Sequence, residues 1–319
     1  MSREHFAEGR ASRCLRGWLG PWILALLTSV AEAAPDGPRV PRAGTEPESR
    51  RVMDDVGRWR RFADALGETF RSGGTLPMEA LREQLKARDH AKARVRLARP
   101  GRRALEPEQV YERCAASVVA MGSVYKCPRC PHWHTGGTGT GWVVGDRGEV
   151  VSNYHVLAGT KETNVVAFGV MTLDGRCLPI REVLASDAAR DVVIFRVDPE
   201  GLAPLPLSPR EPVGRPVSVI AHPSGDLYTF TQGAVSRYAL RATEPGAAPM
   251  EWMCVTADFA VGSSGGPVLN RQGSVVGMVA RTQTINANPK GEAPSTQMVV
   301  KMTIPSEAIL SLVEAEPRR

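Results

Sequence analysis

Long apolar runs are almost missing from these 319 residues, and aromatic side chains make up only 6% of them. The one extended apolar stretch, Trp18 to Ala31, is interrupted early by Gly20 and Pro21. It is shorter than the roughly 20 residues that a spanning helix needs. It follows Arg3, Arg10, Arg13 and Arg16 and ends on the small residues Ala31 and Ala33. That order is the pattern of an export signal over residues 1–33, cut before Ala34, with an uncleaved membrane anchor as the alternative. The chain therefore reads as periplasmic or secreted. An even set of cysteines is also missing. Cys14 would leave with the signal, and Cys114, Cys127, Cys130, Cys177 and Cys254 remain. Five thiols cannot all pair within one chain, which excludes a complete disulfide framework. Positive charge is lacking where a large nucleic-acid face would need it. Residues 106–319 hold 19 Lys/Arg against 21 Asp/Glu, whereas residues 35–105 hold 17 against 10. The net charge of +6 thus belongs to the N-terminal region, and no nucleic-acid partner is expected. That basic segment reads as a solvated helical face or as a surface that docks at an envelope or membrane.

What is present is punctuation: 31 Gly and 25 Pro, cutting the chain into short pieces. Residues 35–49 are rich in Pro, Gly and charge and read as a linker. From Arg50 to Phe70, Val52, Val56, Trp59, Phe62, Leu66 and Phe70 recur at helical spacing. Gly73-Gly74 breaks this helix. A second one starts after Pro77, carries Leu81 and Leu85, and runs into the basic stretch Lys86–Arg103. Residues 34–105 are accordingly a linker and basic helical region, serving as spacer, docking element or pro-segment. The Arg102-Arg103 pair is a candidate cleavage point. After Glu106 the texture changes to short β-rich runs between Gly/Pro turns, up to Pro305, with one closing helix from Ser306. Such spacing predicts an all-β sandwich or barrel.

Three segments carry chemistry. In Gly262-Ser263-Ser264-Gly265-Gly266-Pro267, a serine stands among glycines that let backbone amides converge. A serine hydroxyl needs a base to become a nucleophile. An attacked carbonyl needs N–H donors aimed at its developing charge, here the amides of Gly262 and Ser264. His155, directly after the apolar strand Val150–Asn153, is the candidate base. Asp191, before Val192-Val193-Ile194, is the candidate carboxylate that orients the imidazole, with Asp187 as runner-up. The order His, Asp, Ser is that of chymotrypsin-type enzymes and differs from the subtilisin and α/β-hydrolase orders.

With Gly139-Thr140-Gly141-Trp142-Val143-Val144 and Ala221-His222-Pro223-Ser224-Gly225, these segments resemble the trypsin-like protease domain in its bacterial HtrA-like branch, over about residues 106–315. The resemblance implies a chymotrypsin-like double six-stranded β-barrel over residues 106–319, with a short C-terminal helix, preceded by a small helical region. It implies a serine endopeptidase that cleaves polypeptides through an acyl-enzyme and requires no cofactor. It also puts Asp258 at the base of the primary specificity pocket, favouring Arg or Lys before the scissile bond, unless that carboxylate is bonded to nearby loop amides. The chain departs from the branch at Ser263, where the branch has Asn, and no PDZ domain is expected after the closing helix. A further departure is the extra segment Cys127-Pro128-Arg129-Cys130-Pro131-His132-Trp133-His134. Cys127, Cys130, His132 and His134 are candidate ligands of a structural zinc. A Cys127–Cys130 disulfide and plain thiols are the other two readings. A function of a different class is a protease-fold binding or chaperone-like module for unfolded polypeptides.

Overall fold

Short runs of Val, Ile and Ala, rich in branched side chains and cut by turn residues, form strands over most of the chain. The computed structural model describes residue 47 and residues 50–159, 164–242, 246–287 and 295–317. The export signal, and most of the linker, fall on residues 1–46, outside the described residues. No described helix is long and apolar enough to cross a membrane. Glu46–Arg319 form one compact unit, so the helical segment and the sheets share it.

The unit begins with α1 (Asp55–Arg71), α2 (Met78–Ala87), the short strand β1 (Ala93–Val95) and α3 (Pro107–Cys114). Asp54 caps α1, its carboxylate accepting from the Gly57 amide at 2.8 Å. Phe62, Leu66, Leu81 and Leu85 are buried. Val52 and Val56, expected on the same apolar face, are 93% and 83% exposed. Val52 precedes the helix, and at 100° per residue Val56 points well away from Phe62 and Leu66.

The first sheet contains β2 (Val118–Lys126), β3 (Trp133–Val143), β4 (Glu149–Ser152), β5 (Val165–Met171), β6 (Cys177–Pro179), β7 (Glu182–Asp187) and β8 (Val192–Arg196), with the short helix α4 (Tyr154–Ala158) after β4. Its antiparallel order is β6-β5-β2-β3-β4-β8-β7. The second sheet is a closed barrel of six strands: β9 (Pro216–Ala221), β10 (Thr229–Arg241), β11 (Met250–Val255), β12 (Pro267–Leu269), β13 (Val275–Asn286) and β14 (Thr296–Pro305). The closing helix is α5 (Ser306–Leu310), and β15 (Val313–Ala315) then pairs in parallel with β1.

The all-β class, the two sheets and the C-terminal helix agree with the sequence reading. The first sheet differs in having seven strands, and no ladder joins its outer members. β6 is only three residues long, and the chain passes through Ile180 and Arg181 straight into β7, which leaves no run to pair across the gap. Helix α1 lies on this sheet. Glycine makes that approach feasible: a side chain at Gly122 would run into Phe62 and Trp59, and one at Gly169 into Leu66.

Candidate active site

The base and its carboxylate come from the seven-stranded sheet. β4 ends at Ser152, and Asn153 leads into α4, which carries His155. Asp191 stands just before β8 with φ +58°, a left-handed conformation that Asp tolerates better than most residues. Three bonds hold it there. Its Oδ1 accepts from the His155 amide at 2.9 Å, its Oδ2 meets His155 Nδ1 at 2.7 Å, and its carbonyl accepts from Asn153 Nδ2 at 3.0 Å. A carboxylate on Nδ1 fixes that nitrogen as the donor and leaves Nε2 with its lone pair. Asp187 is occupied elsewhere, accepting from the Arg190 amide at 2.8 Å and from Arg190 Nη1 at 3.3 Å.

The candidate nucleophile comes from the closed barrel, in the turn between β11 and β12. Gly262 and Gly265 have φ +93° and +87°. A Cβ at Gly262 would meet the His222 carbonyl at 2.5 Å, and one at Gly265 would overlap the Thr140 carbonyl. Within the turn the Ser263, Gly265 and Gly266 amides donate to Ala260, Val279 and Ser263 carbonyls. Among the described residues the amides of Gly262 and Ser264 make no backbone hydrogen bond. The Ser264 hydroxyl donates to the Ala280 carbonyl at 3.4 Å, and no hydrogen bond joins it to His155 among the described residues.

Residues that sequence reasoning passed over hold this turn. Fully buried Thr140 donates its amide to the Ser264 carbonyl at 2.8 Å and its hydroxyl to the Gly262 carbonyl at 3.0 Å. Ser152, two residues before α4, donates its hydroxyl to the Thr140 carbonyl at 2.7 Å. The two halves of the site are thus bonded through one threonine. Ser224, at φ +54°, donates its amide to the Val261 carbonyl at 2.6 Å. Because the peptide is trans, this bond turns the Gly262 N–H to the opposite side. The loop around Ser224 is in turn held by α1: Trp59 Nε1 donates to the Gly225 carbonyl at 2.8 Å, and Asp55 Oδ1 accepts from the Leu227 amide at 3.3 Å. His222, fully buried between the sheets, accepts from the Tyr228 amide at 2.9 Å, and burial pushes its pKa down to about 3. The sequence signal for Thr140, His222 and Ser224 was their place inside the Gly139–Val144 and Ala221–Gly225 segments, and Trp59 was legible only as part of a helical repeat.

A pocket of about 260 Å³ adjoins the turn, lined by Val219, Ala221, Phe259, Ala260, Asp258 and Lys301 among others. Asp258 is at its margin with its side chain 82% exposed, paired with Lys301 Nζ at 3.0 Å. A cleft of about 510 Å³ runs past His155, Asp191, Trp252 and Ala280.

The cysteine–histidine segment forms the tip of the β2–β3 hairpin. All five described cysteines are free thiols. Cys127, Cys130 and His134 come together; His132 does not join them and is exposed. The Arg129 amide at 3.4 Å, and then the Cys130 thiol, hold the Cys127 thiol below its ordinary pKa. Burial pushes Cys114 and Cys177 up to about 12.

Residues 139–278 match the family model described as a trypsin-like peptidase domain. The protein named "Protease Do-like 1, chloroplastic" from Arabidopsis thaliana is 28% identical over 184 residues, covering 56% of this chain and 39% of that one. The "Probable periplasmic serine endoprotease DegP-like" of Hahella chejuensis is 32% identical over 151 residues, covering 46% and 30%. The chain therefore spans about two fifths or less of the length of these curated relatives. The crystal structure of Deg5 superposes with a TM-score of 0.48 at 22% identity, covering 63% of this chain and 89% of that one.

Proposed function

We propose that this chain, whose residues 139–278 match a trypsin-like peptidase domain and which resembles HtrA-type serine proteases over part of its length, is a serine endopeptidase using His155, Asp191 and Ser264 as its triad. The observation that carries this reading is the two-point hold of Asp191 on His155, at 2.7 Å through the ring and 2.9 Å through the backbone. A carboxylate so held keeps Nε2 as the proton acceptor and stabilises the imidazolium that forms. Attack requires the Ser264 hydroxyl to leave the Ala280 carbonyl, a weak bond at 3.4 Å, and to donate to Nε2. The Ser264 oxygen then bonds to the scissile carbonyl carbon. The resulting oxyanion accepts from the unclaimed amides of Gly262 and Ser264. His155 returns the proton to the leaving amine, and water hydrolyses the acyl-enzyme by the same route in reverse. Every group in this scheme belongs to the protein or the substrate, so the reaction calls for no cofactor.

Substrates are polypeptides, and the residue before the scissile bond is apolar. The small pocket, whose exposed lining is mostly apolar, supports that preference. With Lys301 already paired to it, Asp258 offers little free charge to an incoming Arg or Lys. Residues 1–33 and the periplasmic naming of a relative support export to the periplasm. The surplus of Lys/Arg in residues 35–105, with Arg60 and Arg61 exposed on α1, supports docking at an anionic envelope surface.

One observation favours a second reading, a protease-fold module that holds unfolded chains: the Ser264 hydroxyl is engaged with Ala280 rather than with His155. Labelling the protein with a fluorophosphonate separates the two. Labelling of wild type, absent in Ser264→Ala and His155→Ala, supports the endopeptidase. If wild type stays unlabelled yet suppresses aggregation of an unfolded protein, the binding module takes its place.

A further inference from the structure

Three side chains of metal-ligand type converge outside the catalytic turn, at the tip of the β2–β3 hairpin. The ligand atoms of Cys127, Cys130 and His134 all lie within 4.8 Å of one another, and Cys130 Sγ is 2.9 Å from His134 Nε2. The hairpin accounts for the convergence. β2 ends at Lys126, and the tip that follows carries both cysteines. β3 then returns, setting His134 opposite Tyr125 with their rings stacked at 5.4 Å. The imidazole therefore stands on a strand and is held by a neighbour. Pro128, Arg129, Pro131 and His132 are exposed, so the tip has no apolar interior of its own to fix its shape.

We propose that Cys127, Cys130 and His134 bind a zinc ion that fixes this hairpin tip, with water in the fourth position. Thiolate and imidazole donors suit zinc, whereas calcium and magnesium demand oxygen. Metal–ligand distances of about 2.3 Å to sulfur and about 2.0–2.1 Å to nitrogen put tetrahedral ligand atoms about 3.5–3.8 Å apart. The present spacing, none above 4.8 Å, reaches that arrangement with local shifts. Binding replaces two S–H bonds with two Zn–S bonds and releases two protons to solvent. The site holds more than the tip. Trp133, between the ligands Cys130 and His134, lies edge-on to Phe70 of α1 at 6.4 Å, with Lys126 Nζ over its ring at 5.1 Å and the Arg71 guanidinium at 5.9 Å. A side chain at Gly67 would overlap that ring. The ion would thus brace the strip against which the C-terminal end of α1 rests.

The test is a cobalt(II) titration of the full chain under anaerobic, reducing conditions. A thiolate-to-cobalt charge-transfer band that saturates at one equivalent and is displaced by zinc is the expected result. Cys130→Ser and His134→Ala should lose affinity by more than the roughly 10–100-fold that an outer-shell partner is worth. His132→Ala, in the same tip, should bind as wild type does, which separates loss of a ligand from disturbance of the hairpin. In wild type, zinc should also slow alkylation of Cys127 and Cys130 but not that of Cys177. Absence of the band, equal affinity in His134→Ala, or no protection from alkylation would each overturn the proposal.

Discussion

The two sheets solve the same problem in opposite ways. The C-terminal barrel closes on itself, each of its six strands pairing with two neighbours. The N-terminal sheet stays open between β6 and β7 and is covered by α1 and α2, whose Phe62, Leu66, Leu81 and Leu85 are buried. An open sheet edge or apolar face must be paired or covered. The helical region, which the sequence presents as a spacer, docking element or pro-segment, is therefore also cladding for the half of the protein that lacks closure. The groups of the proposed triad follow the same division. The clad sheet supplies His155 and Asp191, the closed barrel supplies Ser264, and Thr140 and α1 bridge to the turn that holds the nucleophile.

The comparison is tested hardest at its catalytic seam. Asp191→Asn leaves the closed barrel untouched and should lower kcat by about 10⁴-fold, because the amide favours the wrong imidazole tautomer. A loss of less than tenfold would mean that the clad half contributes only shape. The next effect is acid sensitivity at the junction. His222, neutral in the fold with a pKa of about 3, titrates near 6.5 when unfolded. The unfolded chain therefore takes up the proton first. The contribution is intact above about pH 6.5 and is lost as pH falls towards 3, to a limit of about 5 kcal/mol. His222→Asn should move the midpoint of acid unfolding to lower pH, and an unmoved midpoint would place the acid-sensitive step elsewhere.

Smaller effects ask whether the cladding belongs to the fold. Leu66→Ala on α1 should cost about 2–5 kcal/mol in denaturant unfolding, the range for a buried leucine. Unchanged stability would reduce α1 to an appendage. The mildest change sharpens the comparison most. Trp59→Phe keeps an aromatic ring, though a smaller one, and removes the N–H that holds the Gly225 carbonyl. One hydrogen bond is worth about 0.5–1.5 kcal/mol, so kcat should fall about 3–10-fold with KM nearly constant and the melting temperature lower by only about 2–4 °C. A rise in KM alone would assign Trp59 to substrate binding and not to the Gly262 peptide.

Local signals were the most legible. Asp191 is paired with His155 at 2.7 Å as expected, and Gly262 and Gly265 adopt the left-handed backbone that glycine permits, whereas Ser264 makes no hydrogen bond to His155 among the described residues. Less legible is how one residue acts on another far along the chain. Trp59 holds Gly225, and Thr140 holds Gly262, across more than a hundred residues, and no spacing rule links either pair. Asp258 was legible by position, whereas its pairing depends on Lys301 in a different strand. Helical periodicity carried Val52 onto the apolar face because a repeat does not mark where the helix starts, and Val56 because the repeat tolerates a residue that points away from Phe62 and Leu66.

The parallel pairing of β1 with β15 sets an order of events. Ala93–Val95 find their partners only at Val313–Ala315, and the Ala93 amide is already committed to the Leu312 carbonyl. A chain emerging from a ribosome or a translocation pore cannot close this ladder until residue 315 is free. Contacts of such long range are slow to form. Strand β1 should accordingly remain unpaired during synthesis and reach its final protection from hydrogen exchange only after residue 315 has emerged.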